Sequence, residues 1–419
     1  MEKLILLTNH FPFGHGEAFL EGEFEYLKKE FQYITIVALT NEKNQTRSIT
    51  EGCELINYDT RSTKGQKLIS PFLVFRELIT VLFFLGNEIR IIKSLKIKLK
   101  IKLLQESIHD LIKGIQLYYF LKRNIGFNNP NQIFYAYWLS SQATALMIAK
   151  RKNPNIVAIA RGHSVDIYPF RHKLNYIPFE KQKVDILDRT FFVSKHGVNF
   201  YKDFFRELPS NISLAPLGTS IIKSNTKQKS YDNKILLSIS NIVAIKRINL
   251  IIEALSLIND MSITWLHIGD GELRNEITDY ANDKLKDKRN IGYHFLGQMS
   301  NSEVHKFLAS TKIDLFINVS EIEAIPVSIR EAMSYGIPCL ATNVGGTNEI
   351  VNEKTGFLLD ANPKPEKIMK EIEKYFLLPQ NSVENFKINA YKYWKQNFSS
   401  EVVYPKFIKE IGELIKPSK

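Results

Sequence analysis

Two cysteines, Cys53 and Cys339, are all that the 419 residues contain, and they lie far apart. No disulfide framework can be built from them, so a reducing cytoplasm is the expected compartment. Long apolar runs are missing as well. The longest, Leu78 to Gly86, falls well short of the about 20 residues a spanning helix needs, so no transmembrane helix is expected. The opening MEKLILLTNHFPFG has a short apolar run and no small-residue cleavage site, and reads as a first β-strand rather than a signal peptide. Low-complexity tracts and internal repeats are absent.

What is present is length, alternation and positive charge. A chain of 419 residues exceeds the roughly 250–300 residues at which single cores stop growing, so two domains are expected. Short Ile/Val/Phe-rich runs (Lys3–Thr8, Ile34–Leu39, Gln132–Tyr137, Asn155–Ala160, Thr190–Val193, Ile212–Pro216) alternate with amphipathic stretches such as Glu17–Phe31, Ser140–Lys152 and Lys195–Arg206. Nearly continuous apolar strands between helices predict a doubly wound parallel sheet buried on both faces. The polar stretch Thr219–Asn233 reads as a linker. A second alternation follows, with strands at Lys234–Ser240, Ser262–Ile268, Gly292–Phe295, Asp314–Val319 and Pro338–Ala341. Helices are expected at Ile248–Asn259, Glu272–Lys286, Asn301–Ser310 and Val327–Gly336, and the last sixty residues look helical. The expected organisation is α/β: an N-terminal Rossmann-like domain over 1–220, a second over 221–395, and a C-terminal helix over 396–419 that packs back on the first. Two such domains facing a cleft bind ligands at the carboxyl ends of their strands.

The net charge of +12 is unevenly placed. Between Arg61 and Arg123, 13 Lys and Arg outnumber 4 Asp and Glu. Basic residues there interleave with Phe72, Phe75, Leu78, Leu82, Phe83 and Phe84. A helical insertion over about 61–125 that lies on anionic lipid headgroups fits this pattern, and an insertion packed on its own domain fits it too. Within it, Leu95–Leu103 (LKIKLKIKL) alternates strictly, a period that taken alone favours a strand. No RNA- or DNA-binding motif accompanies the charge, so nucleic acid is not an expected partner.

Chemistry concentrates in Ser320–Val351, SEIEAIPVSIREAMSYGIPCLATNVGGTNEIV. Pro326 suits a helix start, where its missing N–H costs nothing. The free N–H groups around Ile325, Val327 and Ser328, with the helix dipole, suit a phosphate. Glu323 lies just before that helix and Glu331 inside it, so two carboxylates can accept hydroxyl hydrogen bonds from two parts of one ligand. On spacing alone, a surface helix carrying glutamates is the alternative.

This stretch resembles the signature of family 4 glycosyltransferases, enzymes of the GT-B fold that act with retention. Glu323, Ala324, Ile325, Pro326, Glu331, Ala332, Met333, Gly336 and Pro338 match, with Gly345, Gly346, Glu349 and Gly356 downstream. Ala324 replaces the commoner glycine. Ile239–Leu250 resembles the family's diphosphate-holding segment, in which Lys246 matches the family lysine. Asn241 stands where an arginine is usual, and Arg247 is placed to compensate. His267–Arg274, with Gly269 and Gly271, resembles a strand-end turn, and Phe295-Leu296-Gly297 the place where the base stacks. In the first domain, Gly14 and Gly16 follow the first strand, where backbone can approach donor phosphates and acceptor. Arg161–Tyr168 resembles a His-x-x-Asp site, with His163 facing the donor sugar and Asp166 nearby.

The resemblance implies a hexosyltransferase whose donor is a nucleotide sugar, UDP-linked in preference to GDP-linked, with Glu323, His163 and Lys246 as the catalytic set. No Asp-x-Asp motif occurs, so metal-independent donor binding and no further cofactor are expected. The acceptor implied is a saccharide on a polyprenyl carrier, elongated at the inner face of the cell membrane during capsule, exopolysaccharide or lipopolysaccharide assembly. Another enzyme on the same fold, such as an epimerase or phosphorylase, and a non-catalytic nucleotide-sugar- or nucleic-acid-binding protein are the competing readings.

Overall fold

The computed structural model describes residues 3–14, 16–49, 52–59, 72–73, 75–92, 97–222, 229 and 233–415. Much of the basic insertion's beginning, its residues 93–96, and most of the expected linker lie outside the described residues. The chain divides into two compact units, Met1–Pro216 with Pro405–Lys419, and Leu217–Tyr404.

The first unit is built on seven strands: β1 (Lys3–Thr8), β2 (Tyr33–Ala38), β3 (Cys53–Asn57), β4 (Gln132–Ala136), β5 (Val157–Gly162), β6 (Arg189–Phe192) and β7 (Ile212–Leu214). All pair in parallel in the order β3-β2-β1-β4-β5-β6-β7. Leu4, Ile5, Leu6 and Leu7 of β1 are fully buried, as are Ile133 to Ala136 of β4. A strand without an exposed face needs an unbroken apolar run, which these sequences supply. The strand order reverses between β1 and β4, the kind of switch point at which open α/β sheets bind ligands beyond the carboxyl ends of their strands.

The second unit holds β8 (Lys234–Ile239), β9 (Ile263–Ile268), β10 (Ile291–Phe295), β11 (Leu315–Asn318), β12 (Cys339–Thr342) and β13 (Gly356–Leu359). These also pair in parallel, in the order β10-β9-β8-β11-β12-β13, with the reversal between β8 and β11. Helices at 248–257, 274–285, 301–310, 327–334 and 365–376 cover the sheet. They bury two apolar layers, one around Trp265 and Ile252 and one around Met333 and Phe316.

Strands β3 and β13 have no counterpart in the sequence reading. Both are edge strands; β3 (CELIN) has no fully buried residue, and β13 (GFLL) is only four residues long. The alternation in LKIKLKIKL is also misleading. From Ile97 onward the chain is one helix, Ile97–Asn124, whose buried stripe Leu103, Ser107, Leu111, Ile115, Tyr118 and Leu121 has the helical period. Packing of that stripe against the buried face of helix Ser141–Lys152 decides the conformation, and Lys98 and Lys102 are left on the solvent side. Residues 405–415 pack in the first unit, where the Phe407 ring stacks beneath the Arg161 guanidinium at 4.3 Å. Among the described residues, no helix is long and apolar enough to cross a membrane.

Candidate functional site

In the second unit, the two strands flanking the reversal both end in residues singled out by the sequence. After β8 the chain makes a tight turn, Ala244–Lys246, and Arg247 starts the next helix in the left-handed region at φ 49°. The Arg247 guanidinium does not reach outward. Its Nε donates to the Val319 carbonyl at 2.7 Å, Nη2 to those of Ser320 and Ala361 at 2.8 Å, and Nη1 to Asn362 Oδ1 at 2.9 Å. The fork thus ties together the loops that follow β8, β11 and β13. It is a positioning residue, not a second free cation to replace the missing family arginine. Asn241 is exposed at the end of β8.

Holding Arg247 in this way aims its neighbour. Lys246 Nζ lies 2.5 Å from Glu323 Oε1, with the side chains 21% and 12% exposed. A charge-assisted contact of this length, partly shielded from water, fixes both groups before any ligand arrives. Asn318 Nδ2 touches the same carboxylate oxygen at 3.5 Å. The loop bearing Glu323 is held from behind by Gly345 and Gly346. The Gly346 N–H donates to the Ala324 carbonyl at 2.6 Å. Gly345 has φ +53°, and a Cβ there would run into the Glu323 carbonyl oxygen. Glycine is therefore required for this close approach.

Pro326 caps the helix Val327–Ser334 in extended conformation. The first N–H groups of a helix have no acceptor within it, so those of Val327 and Ser328 form a donor cluster where the dipole is positive. Ile325, just before, is buried and its carbonyl accepts from Arg330 Nη2 at 3.4 Å. Glu331 sits one turn in and is 6% exposed. Burial pushes its carboxyl up to about 7, against the pull of Arg330 and of a 2.7 Å hydrogen bond from Asn301 Nδ2. His305 Nε2 is 3.8 Å from Glu331 Oε1. Burial holds that imidazole down at about 4, so it is neutral at pH 7 and the contact is not an ion pair.

The strand-end turn after β9 is likewise shaped by close approach. Gly269 has φ +141° and any Cβ would strike the Ser240 carbonyl oxygen, while its N–H bonds the Gly297 carbonyl at 2.9 Å. Gly271 packs on the Ile242 backbone, and Leu296, 36% exposed, donates its N–H to the His267 carbonyl at 2.8 Å. These contacts gather the ends of β8, β9 and β10 into one rim. Within this unit, Lys246 and Glu323 are in direct contact, whereas Glu331 contacts neither and bonds Asn301 instead.

In the first unit, His163 follows β5 and caps a single turn, Ser164–Ile167. Asp166 turns back to accept the His163 N–H at 3.1 Å, and burial raises its carboxyl to about 7. The pairing of these two residues is therefore local capping. The His163 ring is 7% exposed, its Nε2 is 3.1 Å from the Tyr137 carbonyl, and Trp138, Tyr137 and Phe19 surround it with centroids at 4.5, 5.1 and 5.5 Å. Trp138 and Phe19 were not anticipated from sequence. Nor was Glu17. It lies next to Gly16 at φ 57° and accepts from the N–H groups of Asn9 (2.9 Å), His10 (2.7 Å) and Phe11 (2.6 Å) and from Trp138 Nε1 (2.5 Å). The main-chain amides of Asn9 to Phe11, just ahead of Gly14 and Gly16, are thus occupied by the protein's own carboxylate. An acid directly after Gly-x-Gly behind a first strand was the signal available.

Comparison with known proteins adds a family to this geometry. Residues 221–393 match the model for Glycosyl transferases group 1. The N-acetyl-alpha-D-glucosaminyl L-malate synthase of Bacillus anthracis is 32% identical over 133 residues, 31% of this chain and 33% of that protein. The UDP-Gal:alpha-D-GlcNAc-diphosphoundecaprenol alpha-1,3-galactosyltransferase of Escherichia coli is 36% identical over 97 residues, 23% of each. The matches thus span a third or less of these curated relatives. Sucrose-phosphate synthase from Thermosynechococcus elongatus superposes with a TM-score of 0.73 at 14% identity, covering 100% of both chains. The second unit is therefore a glycosyltransferase group 1 domain, and the two parallel sheets form the GT-B fold.

Proposed function

We propose that this chain is a retaining, metal-independent family 4 glycosyltransferase that moves a sugar from a UDP-sugar to a lipid-linked saccharide in bacterial surface polysaccharide assembly. The observation that carries the reading is the Lys246–Glu323 contact at the β8/β11 reversal, directly ahead of a helix N-terminus and the buried Glu331. A cation beside free helix amides suits a diphosphate whose charge grows as it leaves. Two carboxylates on either side suit hydroxyl-bearing sugars.

In this mechanism Lys246 and the N–H groups of Val327 and Ser328 hold the diphosphate. Glu323 orients the donor sugar, Glu331 accepts the ribose hydroxyls, and His163 supports hydroxyls of the transferred sugar. The bond from the anomeric carbon to the diphosphate oxygen breaks, and the acceptor hydroxyl adds from the same face. Its proton passes to the departing diphosphate oxygen, so configuration is retained without a protein nucleophile. The lipid-linked acceptor draws support from the basic insertion. There Phe72, Phe75, Ile79 and Leu82 are 62–81% exposed on the same segment as Lys98 and Lys102, an apolar and cationic surface suited to anionic headgroups. The Escherichia coli relative, named for a diphosphoundecaprenol-linked acceptor, points the same way. The test is transfer of label from a UDP-[14C]hexose panel, with the product's anomeric configuration read by NMR. A retained product lost in Lys246→Ala supports the reading. An inverted product, or label released as free epimer, overturns it.

A further inference from the structure

We infer that Glu17 is a positioning residue within the first unit, acting through Trp138 on His163; the inference rests on the glycosyltransferase reading for its rate arm only. Three consecutive main-chain N–H groups, Asn9 to Phe11, converge beyond the end of β1. Such a nest is an anion site by construction. Glu17 fills it from within the same loop, at the cost of a left-handed backbone at a non-glycine residue. Its carboxylate is buried, and both oxygens are fully used: Oε1 by the Asn9 N–H and Trp138 Nε1, Oε2 by the His10 and Phe11 N–H groups.

One carboxylate therefore joins two chain segments far apart in sequence. On one side it freezes the loop that carries Gly14 and Gly16. On the other it sets the Trp138 indole, whose ring lies 4.5 Å from the His163 ring. Gln142 reinforces the junction by donating Nε2 to Asn9 Oδ1 at 2.8 Å and accepting the Trp138 N–H at 3.4 Å. Phe19, two residues after Glu17, also lies against the imidazole, with ring centroids 5.5 Å apart. A structural salt bridge would be served by any carboxylate. Here the acceptor must take four donors from two directions, which a glutamine cannot do: whichever way its amide turns, two N–H donors meet an NH2. A phosphate has no vacancy in this nest.

Glu17→Gln and Glu17→Asp, with the surface change Glu25→Gln as control, separate the possibilities. UDP affinity by calorimetry is expected to stay within about twofold of wild type, because Glu17 takes no part in diphosphate binding. UDP-glucose hydrolysis is expected to fall by about tenfold in Glu17→Gln, the loss of one charge-assisted hydrogen bond's worth of positioning, through kcat rather than KM. Tryptophan emission is expected to change in Glu17→Gln and not when Trp138→Phe is already present, which assigns the change to that indole. Unchanged emission and turnover overturn the inference. So does a parallel fall in UDP affinity, turnover and melting temperature, which marks Glu17 as a fold residue only. If wild-type protein binds no UDP, the functional reading fails, and the emission comparison still decides whether Glu17 sets Trp138.

Discussion

Replacing Glu331 by glutamine removes a charge that the fold resists, and the consequence for stability can be worked through. Burial raises this carboxyl from 4.5 to about 7. Between those values an unfolded chain releases the proton and the folded chain keeps it. Stability is therefore present in full below pH 4.5, falls by about 1.4 kcal/mol per pH unit as pH rises, and is flat above about 7. The total is about 3 kcal/mol. Glutamine is neutral throughout and its oxygen can keep the 2.7 Å hydrogen bond from Asn301 Nδ2. Glu331→Gln is thus expected to match wild type at pH 4.5 and to exceed it by about 3 kcal/mol at pH 8.5. Urea unfolding of the full chain at both pH values, following the transition of the second unit, measures the difference. The same variant is expected to lose UDP affinity, because one amide oxygen replaces a carboxylate that accepts two hydroxyls. Equal stability differences at the two pH values, or a variant less stable at pH 8.5, would refute the assignment of a buried, reluctantly ionised carboxylate. A destabilised group kept at this position is what a binding role leads one to expect.

Gly345→Ala is expected to cost about 2 kcal/mol from its left-handed backbone and the clash with the Glu323 carbonyl, and to slow transfer by displacing Glu323; melting temperature and turnover check it. Replacing Lys98, Lys100 and Lys102 with serine is expected to weaken sedimentation with phosphatidylglycerol vesicles by about 3 kcal/mol, roughly 1 per lysine, with no effect on UDP affinity. Sedimentation unchanged by the triple replacement would remove the membrane role.

Inner strands were the most legible part of the fold. β1 stands at the expected Lys3–Thr8 and a helix at the expected Asn301–Ser310, whose start a Ser300–Glu303 capping box fixes in the structure. Two edge strands were not legible: β3 mixes polar with apolar residues and buries none fully, and β13 is a four-residue run beginning at Gly356. LKIKLKIKL misled because local alternation carries no information about the stripe further along the helix that packs. In the site, Glu323, Glu331 and Lys246 were legible as a motif, and their contacts were not. Arg247 has the residue type of a phosphate ligand, yet four acceptors from two other loops claim it. Glu17 and Trp138 escaped notice for the same reason in reverse. They are separated by 121 positions, and only folding joins them.

Calorimetric titration with UDP and with uridine, on wild type and Lys246→Ala, bears most directly on the claim that the second unit holds a nucleotide diphosphate through Lys246. Wild type should bind UDP well above uridine, and the variant should lose about tenfold or more in UDP affinity while binding uridine as before. Equal UDP affinity in the two proteins, or no preference for UDP over uridine in wild type, would contradict it.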